Sequence, residues 1–265
     1  MHAPPILPGH LSWRLLEDWD GEATWNMEVD EAMLEAVAAG LAPPTLRFYG
    51  WECPAISVGR FQDVERGVDV QACRELGIPL VRRPTGGRGV LHGGDETVSI
   101  AMPLAALGAR GSRVADSYAA VSAGFIRAFA LLGRKAALGR CERRAGPAGD
   151  CFAVRSQADL MGADGVKLVG SAQCRRAGAL LQQTSIPHRP PRVPRDRLFH
   201  GRSGETTYPL CQFDPLRLRD ALRRGFQEAL GIRLHAGSMT AWELERAAAL
   251  RASYCQTLVD RRTGL

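Results

Sequence analysis

The Asp164-Gly165 pair, set between β-rich runs, constrains this chain most. Asp-Gly is a strong short-range hairpin signal, because the tight turn it favours takes positive φ at both central residues. The segment CFAVRSQADLMGADGVKLVGSAQ (151–173) therefore reads as two strands about that turn, and ALLQQTSI (179–186) as a further strand. Hairpins join antiparallel strands, whereas parallel strands need a long crossover. No GxGxxG opens a strand–helix unit, which also argues against a doubly wound dinucleotide fold.

The remaining elements mix strands and helices. LSWRLLED (11–18) reads as an opening strand. NMEVDEAMLEAVAAG (26–40) reads as a helix capped by Asn26 and stopped by Gly40, with Met27, Val29, Met33 and Val37 near helical spacing. TLRFYGW (45–51) and AISVG (55–59) read as strands around a turn containing Pro54. DVQACRELG (69–77) is a short helix between Asp69 and Gly77, followed by the strand IPLVRR. TVSIAMPL (97–104) is a strand, and DSYAAVSAGFIRAFALLG (116–133) the clearest helix, capped by Asp116. HRPPRVPRDR is a loop, since its prolines forbid a helix. Residues 217–231 and 240–255 are C-terminal helices, and no internal repeat is visible. The expected fold is α+β, with mixed, largely antiparallel sheets flanked by helices in a single domain over 11–255.

Charge and cysteine usage narrow the function classes. A formal charge of +6 favours an acidic partner. No zinc finger or RNP-like segment accompanies it, so nucleic acid is not expected. The most apolar run, VSIAMPLAAL, is too short to span a bilayer, and MHAPPILPGH lacks the pattern of a secretory signal. The reading is a cytoplasmic protein with no membrane association. Seven cysteines, an odd number without CxxC or HExxH, indicate neither a disulfide framework nor a metal site.

Two segments carry candidate chemistry. RRPTGGRGVLHGG (82–94) is glycine-dense. Adjacent glycines permit left-handed backbone and close approach to a ligand, and two arginines precede them to face an anion. The same residues also suit a tight strand connection that binds nothing. His92 is a candidate for acid–base work or a hydrogen-bonded structural histidine. The second segment holds Cys151 and Lys167. Of 34 lysines and arginines only Lys135 and Lys167 are lysines. A compact ammonium beside a thiol favours the thiolate, and it fits beside a reacting carbonyl where a guanidinium does not. Taken singly, a cysteine is more often core and a lysine near a turn more often solvated. Sixteen residues of separation do not by themselves bring the two together.

Together NMEVDEAML, TLRFYGW, PAISVGRFQ, LVRRPTGGRGVLH, CFAVRSQADL, GVKLVGSAQ and ALLQQTSI, in this order, resemble the lipoate–protein ligase A and octanoyltransferase family. That family shares a catalytic fold with biotin–protein ligases. The resemblance spans residues 12–230, and the pair Cys151-Phe152 is similar to the cysteine-dependent octanoyltransferase branch of Bacillus type. It implies that Cys151 accepts the acyl group and that Lys167 orients the acyl carbonyl. It further implies that Arg82, Arg83, Thr85, Gly86, Gly87, His92, Gly170, Ser171 and Ala172 bind substrate. The donor would be octanoyl-acyl carrier protein, and the acceptor a lysine of a lipoyl domain or glycine cleavage H protein. The protein would be a monomer without cofactor or C-terminal accessory domain. Two positions depart from the family pattern: Gly93 stands where an Asp commonly follows the histidine, so that the acidic contact is either absent or supplied by Asp95, and Gln183 stands where transferases often have His. The alternatives are an ATP- and magnesium-dependent ligase acting through an acyl-adenylate, and a non-catalytic binder of lipoyl domains or acyl carriers.

Overall fold

The structure is a computed structural model that describes residues 11–139, 149–190, 192–201 and 213–259. In chain order the elements are β1 (Ser12–Gly21), α1 (Ala23–Ala38), β2 (Thr45–Trp51), β3 (Ile56–Val58), α2 (Val64–Gly67), α3 (Val70–Glu75), β4 (Leu80–Arg82), β5 (Val90–Leu91) and β6 (Asp95–Pro103). They continue with α4 (Val114–Leu131), β7 (Ala136–Leu138), β8 (Leu160–Gly162), β9 (Lys167–Arg176), β10 (Ala179–Pro187), α5 (Pro215–Leu230), β11 (Arg233–Ala236) and α6 (Ala241–Val259). Eight strands form a sheet in the order β11-β1-β2-β6-β10-β9-β8-β7, and β4-β3-β5 form a second, small sheet. The fold is α+β with mixed sheets. Pairing is parallel at β1–β11, β1–β2 and β3–β4, and antiparallel at the other named pairs.

Strand alternation gives the large sheet two apolar faces. Leu46, Phe48, Val98, Ile100, Leu180 and Ile186 pack under α4 and α5, with Phe125, Phe129, Leu222 and Phe226. The opposite face packs under α1 and α6, where Met27, Met33, Leu34, Tyr49, Leu181 and Leu250 meet. A third cluster, from Ile56 and Val58 to Leu198 and Phe199, fills the small sheet. α4 is, among the described residues, the one helix long and apolar enough to cross a membrane. Its apolarity is used inside the protein, where Phe125 meets Phe226 edge-on at 4.9 Å.

Local signals set several helix ends. Asp214 accepts from the backbone N–H groups of Leu216 and Arg217, Pro215 follows at the first turn, and Gly231 closes α5 at φ 66°. Thr240 and Glu243 form a reciprocal capping box at α6. α1 departs from expectation: it starts at Ala23, so Asn26 lies inside the helix. Its amide instead donates to the carbonyls of Gly50 and Gly21 and accepts from Arg47. Likewise α4 starts at Val114, and Asp116 lies in its first turn rather than at the cap. β2 and β3 lie in different sheets and do not pair with each other. Residues 151–159 form no strand; only β8 remains of the expected first arm of the Asp-Gly hairpin.

α4 and α5 touch at their glycines. A Cβ on Gly225 would stand 2.6 Å from both the Ala128 nitrogen and the Gly124 oxygen, which are backbone atoms. Overpacking of this kind costs about 1–3 kcal/mol. In an exposed helix the same change would gain about 1 kcal/mol from propensity. Gly225→Ala therefore lowers the melting temperature; a higher one would mean that the helices separate at negligible cost.

Candidate active site

The site lies on the α1 side of the large sheet. Pairing places Gly170 opposite Ser185, Ser185 opposite Thr97, and Thr97 opposite Tyr49, so these four form one row across β9, β10, β6 and β2. Ala172, Gln183, Ser99 and Arg47 form the next row on the same face. A small cleft opens over Tyr49, Thr97, Ser185, Gly170, Gln183 and Ala172 of these rows. Met27, Tyr49, Trp51, Val90 and Ala172 give it apolar walls, while Ser57, Arg83, His92, Gln183 and Cys151 contribute polar groups. Narrow, mostly apolar clefts with a few fixed polar groups suit a small ligand with an aliphatic chain.

The glycine segment forms the opposite wall. Gly87 takes φ 93° and presents its backbone to the cleft. Gly89 then forms a parallel bridge with Asp150: its N–H donates to the Gly149 carbonyl, and the Cys151 N–H donates to its carbonyl at 2.8 Å. The glycine segment thereby holds the cysteine loop directly. Asp150 adds two ties, accepting from the Phe152 N–H and pairing with Arg195 of the Pro/Arg loop.

Because residues 151–159 fold back instead of running along β9, Cys151 comes beside Lys167. The Lys167 ammonium lies 2.7 Å from the Cys151 carbonyl oxygen, 3.1 Å from that of Val154, 2.9 Å from Asp159 Oδ2 and 3.4 Å from Cys151 Sγ. Three oxygens and the sulfur share its three protons, so it reaches the sulfur both as a donor and through its field. Burial works against the charged amine, and the Cys151 sulfur and Asp159 carboxylate outweigh it, holding Lys167 above the ordinary lysine range. Gly170 leaves the room: a Cβ there would lie 3.2 Å from Sγ and 3.5 Å from Lys167 Cε.

The substrate-binding residues expected from the sequence divide. Arg83 is buried in the cleft and donates to the Ser57, Gly86 and Arg88 carbonyls. Burial pulls its guanidinium down to about 10, which leaves it charged at neutral pH. Arg82 points the other way, as alternation along a strand requires, and donates to the carbonyls of Gly59, Arg60 and Gln62. It braces that turn and is not part of the cleft lining. Thr85 stands behind the lining and donates to Gln183, which donates in turn to Asp30. Gly86 contributes its carbonyl to Arg83, while Gly87, His92, Gly170, Ser171 and Ala172 line the cleft. Asp95 supplies the acid absent at Gly93: its Oδ2 lies 2.8 Å from His92 Nδ1.

Sequence reasoning missed Asp159, Ser57 and Asp30. Asp159 carries no local signal, since its partner Lys167 lies across the turn. Asp30 is a helix residue wholly buried with Arg47, Tyr49, Ser99 and Gln183 around it. A buried carboxylate with that many partners is held by charge and donors from three strands, β2, β6 and β10. Among the described residues no group of His, Cys, Asp or Glu is arranged to hold a metal ion.

The lipoyl protein ligase A/B catalytic domain family matches residues 22–217. An octanoyltransferase LipM of Kyrpidia tusciae is 40% identical, covering 92% of this chain and 96% of that protein. One from Symbiobacterium thermophilum is 37% identical over 96% of each chain. Among solved structures, the Thermoplasma acidophilum protein Ta0514, described as a lipoate protein ligase and holding lipoic acid, superposes with a TM-score of 0.76 at 25% identity. It covers 91% of this chain and 95% of its own. A lipoate-protein ligase A bound with ATP gives a TM-score of 0.74 at 25% identity, over 91% and 94%.

Proposed function

The chain belongs to the lipoyl protein ligase A/B catalytic domain family, and from that premise we propose that it carries an octanoyl group on Cys151 between two proteins. It is an acyltransferase of the octanoyltransferase type, acting in lipoate biosynthesis. The observation that carries the covalent reading is the Lys167 ammonium 3.4 Å from Cys151 Sγ, at a cleft with apolar walls. A thiolate facing a fixed cation is the nucleophile that thioester exchange needs.

In the first step Cys151 Sγ attacks the thioester carbonyl of octanoyl-acyl carrier protein, and the carrier thiol leaves. In the second, a neutral lysine amine of a lipoyl domain or glycine cleavage H protein attacks the octanoyl-Cys151 carbonyl. The C–N bond forms, the C–S bond breaks, and Sγ leaves toward Lys167. Both steps exchange one acyl bond for another, so neither nucleotide nor metal is needed. The net charge of +6 suits acidic carrier and acceptor domains. The reading places the protein in the cytoplasm, as a monomer.

Incubation with octanoyl-acyl carrier protein and an acceptor domain, without ATP or magnesium, is expected to yield octanoylated acceptor over many turnovers. A strict requirement for free octanoate, ATP and magnesium would assign the ligase reaction instead. Stoichiometric binding without turnover on any donor would make the protein a binder.

A further inference from the structure

Ser57, His92 and Asp95 form a buried chain that the two steps above leave unused. Ser57 Oγ lies 2.8 Å from His92 Nε2, and His92 Nδ1 lies 2.8 Å from Asp95 Oδ2. The order hydroxyl–imidazole–carboxylate is that of a proton-accepting relay. Asp95 is built to stay ionised. It accepts from Ser185 Oγ at 2.6 Å, from Thr97 Oγ1 at 3.2 Å and from the Gly93 N–H at 3.2 Å. Burial would raise its carboxyl, but His92, Ser185 and Gly93 bring it below the ordinary range. An anionic Asp95 selects the tautomer with the proton on His92 Nδ1, and in that neutral imidazole Nε2 accepts from Ser57. The imidazole is fixed in that plane by Trp51, stacked on it at 3.8 Å.

The relay sits beside the nucleophile. Ser185, which anchors Asp95, is the cross-strand partner of Gly170, over which Cys151 Sγ lies. Ser57 and His92 line the same cleft as Cys151. Arg83 Nη1 donates to Ser57 Oγ at 3.2 Å, so a developing negative charge on that oxygen meets a cation. The charged neighbours are Asp95 and Arg83, with Glu96, His188 and Arg219 near Asp95; burial pushes the Glu96 carboxyl up to about 7 against the pull of Arg219. Burial, Arg189 and Arg219 hold His188 below the ordinary histidine range despite Asp95, so it adds little charge near neutrality. Lys167, by contrast, is held as an ammonium by Cys151 and Asp159 and has no site for another proton.

We propose that Ser57, His92 and Asp95 relay the proton released when the acceptor amine attacks the octanoyl-Cys151 thioester. The inference rests on the covalent reading of Cys151. As the C–N bond forms, the amine N–H proton passes to Ser57 Oγ while the Ser57 proton passes to His92 Nε2. The electron pair of the broken C–S bond stays on Cys151 Sγ. The imidazolium, stabilised by Asp95, returns its proton to solvent before the next turnover. Ser57 is the group that touches substrate; His92 and Asp95 are positioning residues acting through it.

The test separates the two half-reactions. Parent, Ser57→Ala and His92→Gln proteins are loaded with octanoyl-acyl carrier protein, freed of donor, and mixed with acceptor domain across a pH series in a rapid-quench instrument. General acid–base assistance contributes on the order of 10²–10⁴-fold, so discharge to the acceptor is expected to fall roughly 100-fold further than loading does. Because the acceptor amine must be neutral to attack, every variant keeps a limb that rises with pH, and the readout is discharge relative to loading at each pH. Circular dichroism and melting curves report folding, and Ser57→Ala, which removes one oxygen, serves if His92→Gln melts early. Equal losses in loading and discharge, or discharge at the parent rate, overturn the relay. A parent protein that never loads overturns the covalent reading instead.

Discussion

A Cys151→Ala variant folds like the parent and transfers octanoyl at roughly a thousandth of its rate or less. Removing the group on which a covalent path depends typically costs several orders of magnitude. The fold should tolerate the change. Cys151 is only half-buried, and its loop is held through backbone: the Cys151 N–H on Gly89, the Cys151 carbonyl on Lys167, and Asp150 on the Phe152 N–H. None of these uses the sulfur. Steady-state transfer of octanoyl to an acceptor domain, with circular dichroism as the folding control, measures the effect. Activity within tenfold of the parent would remove Cys151 from the reaction.

Lys167→Arg keeps the charge yet loses activity by roughly 100-fold, the usual scale for displacing a preorganised electrostatic group. The cage around Lys167 is the reason. Three oxygens and one sulfur converge on a single point at 2.7–3.4 Å. The Phe152 ring stands 5.0 Å away, and Lys167 is 7% exposed. A planar guanidinium spreads its donors and needs more volume, so it displaces either Asp159 or the cysteine loop. Overpacking also lowers stability by about 1–3 kcal/mol. If the cation mattered only as a distant positive field, the variant would work nearly as well as the parent. Lys135→Arg is the control, since Lys135 is solvent-exposed beyond α4. Its rate and melting temperature should match the parent. Equal activity in the two variants would make Lys167 an ordinary cation.

The Asp-Gly turn was legible because its signal is local, although only Gly165, at φ 75°, takes the positive angle expected of both residues; the turn spans 163–165, closed by the Gly165 N–H on the Gly162 carbonyl and the Gly162 N–H on that of Val166. The arm before it was not. Residues 151–154 have strand-like chemistry but are held by Gly89, Lys167 and Asp150, whose positions depend on the assembled sheet. The same distance effect hid Asp159. Asn26 carried a sound cap preference, and burial against Arg47 and Gly50 overrode it. Arg82 and Arg83 adjoin in sequence, yet strand alternation separates them: one braces the 59–62 turn, the other enters the cleft. β11 went unread because its four residues are mostly exposed and lack an apolar alternation. The Ser57–His92–Asp95 chain joins β3, the loop after β5 and the start of β6, so only the His92–Asp95 spacing was visible in sequence.

The central claim is that octanoyl rests on Cys151 between donor and acceptor. The direct measurement is mass spectrometry of the intact protein after exposure to octanoyl-acyl carrier protein alone, followed by peptide mapping. One octanoyl group, labile to hydroxylamine and located on the peptide holding Cys151, is the predicted result. An adduct on Cys141 or Cys174, or no adduct from a preparation that turns over with acceptor present, would contradict it.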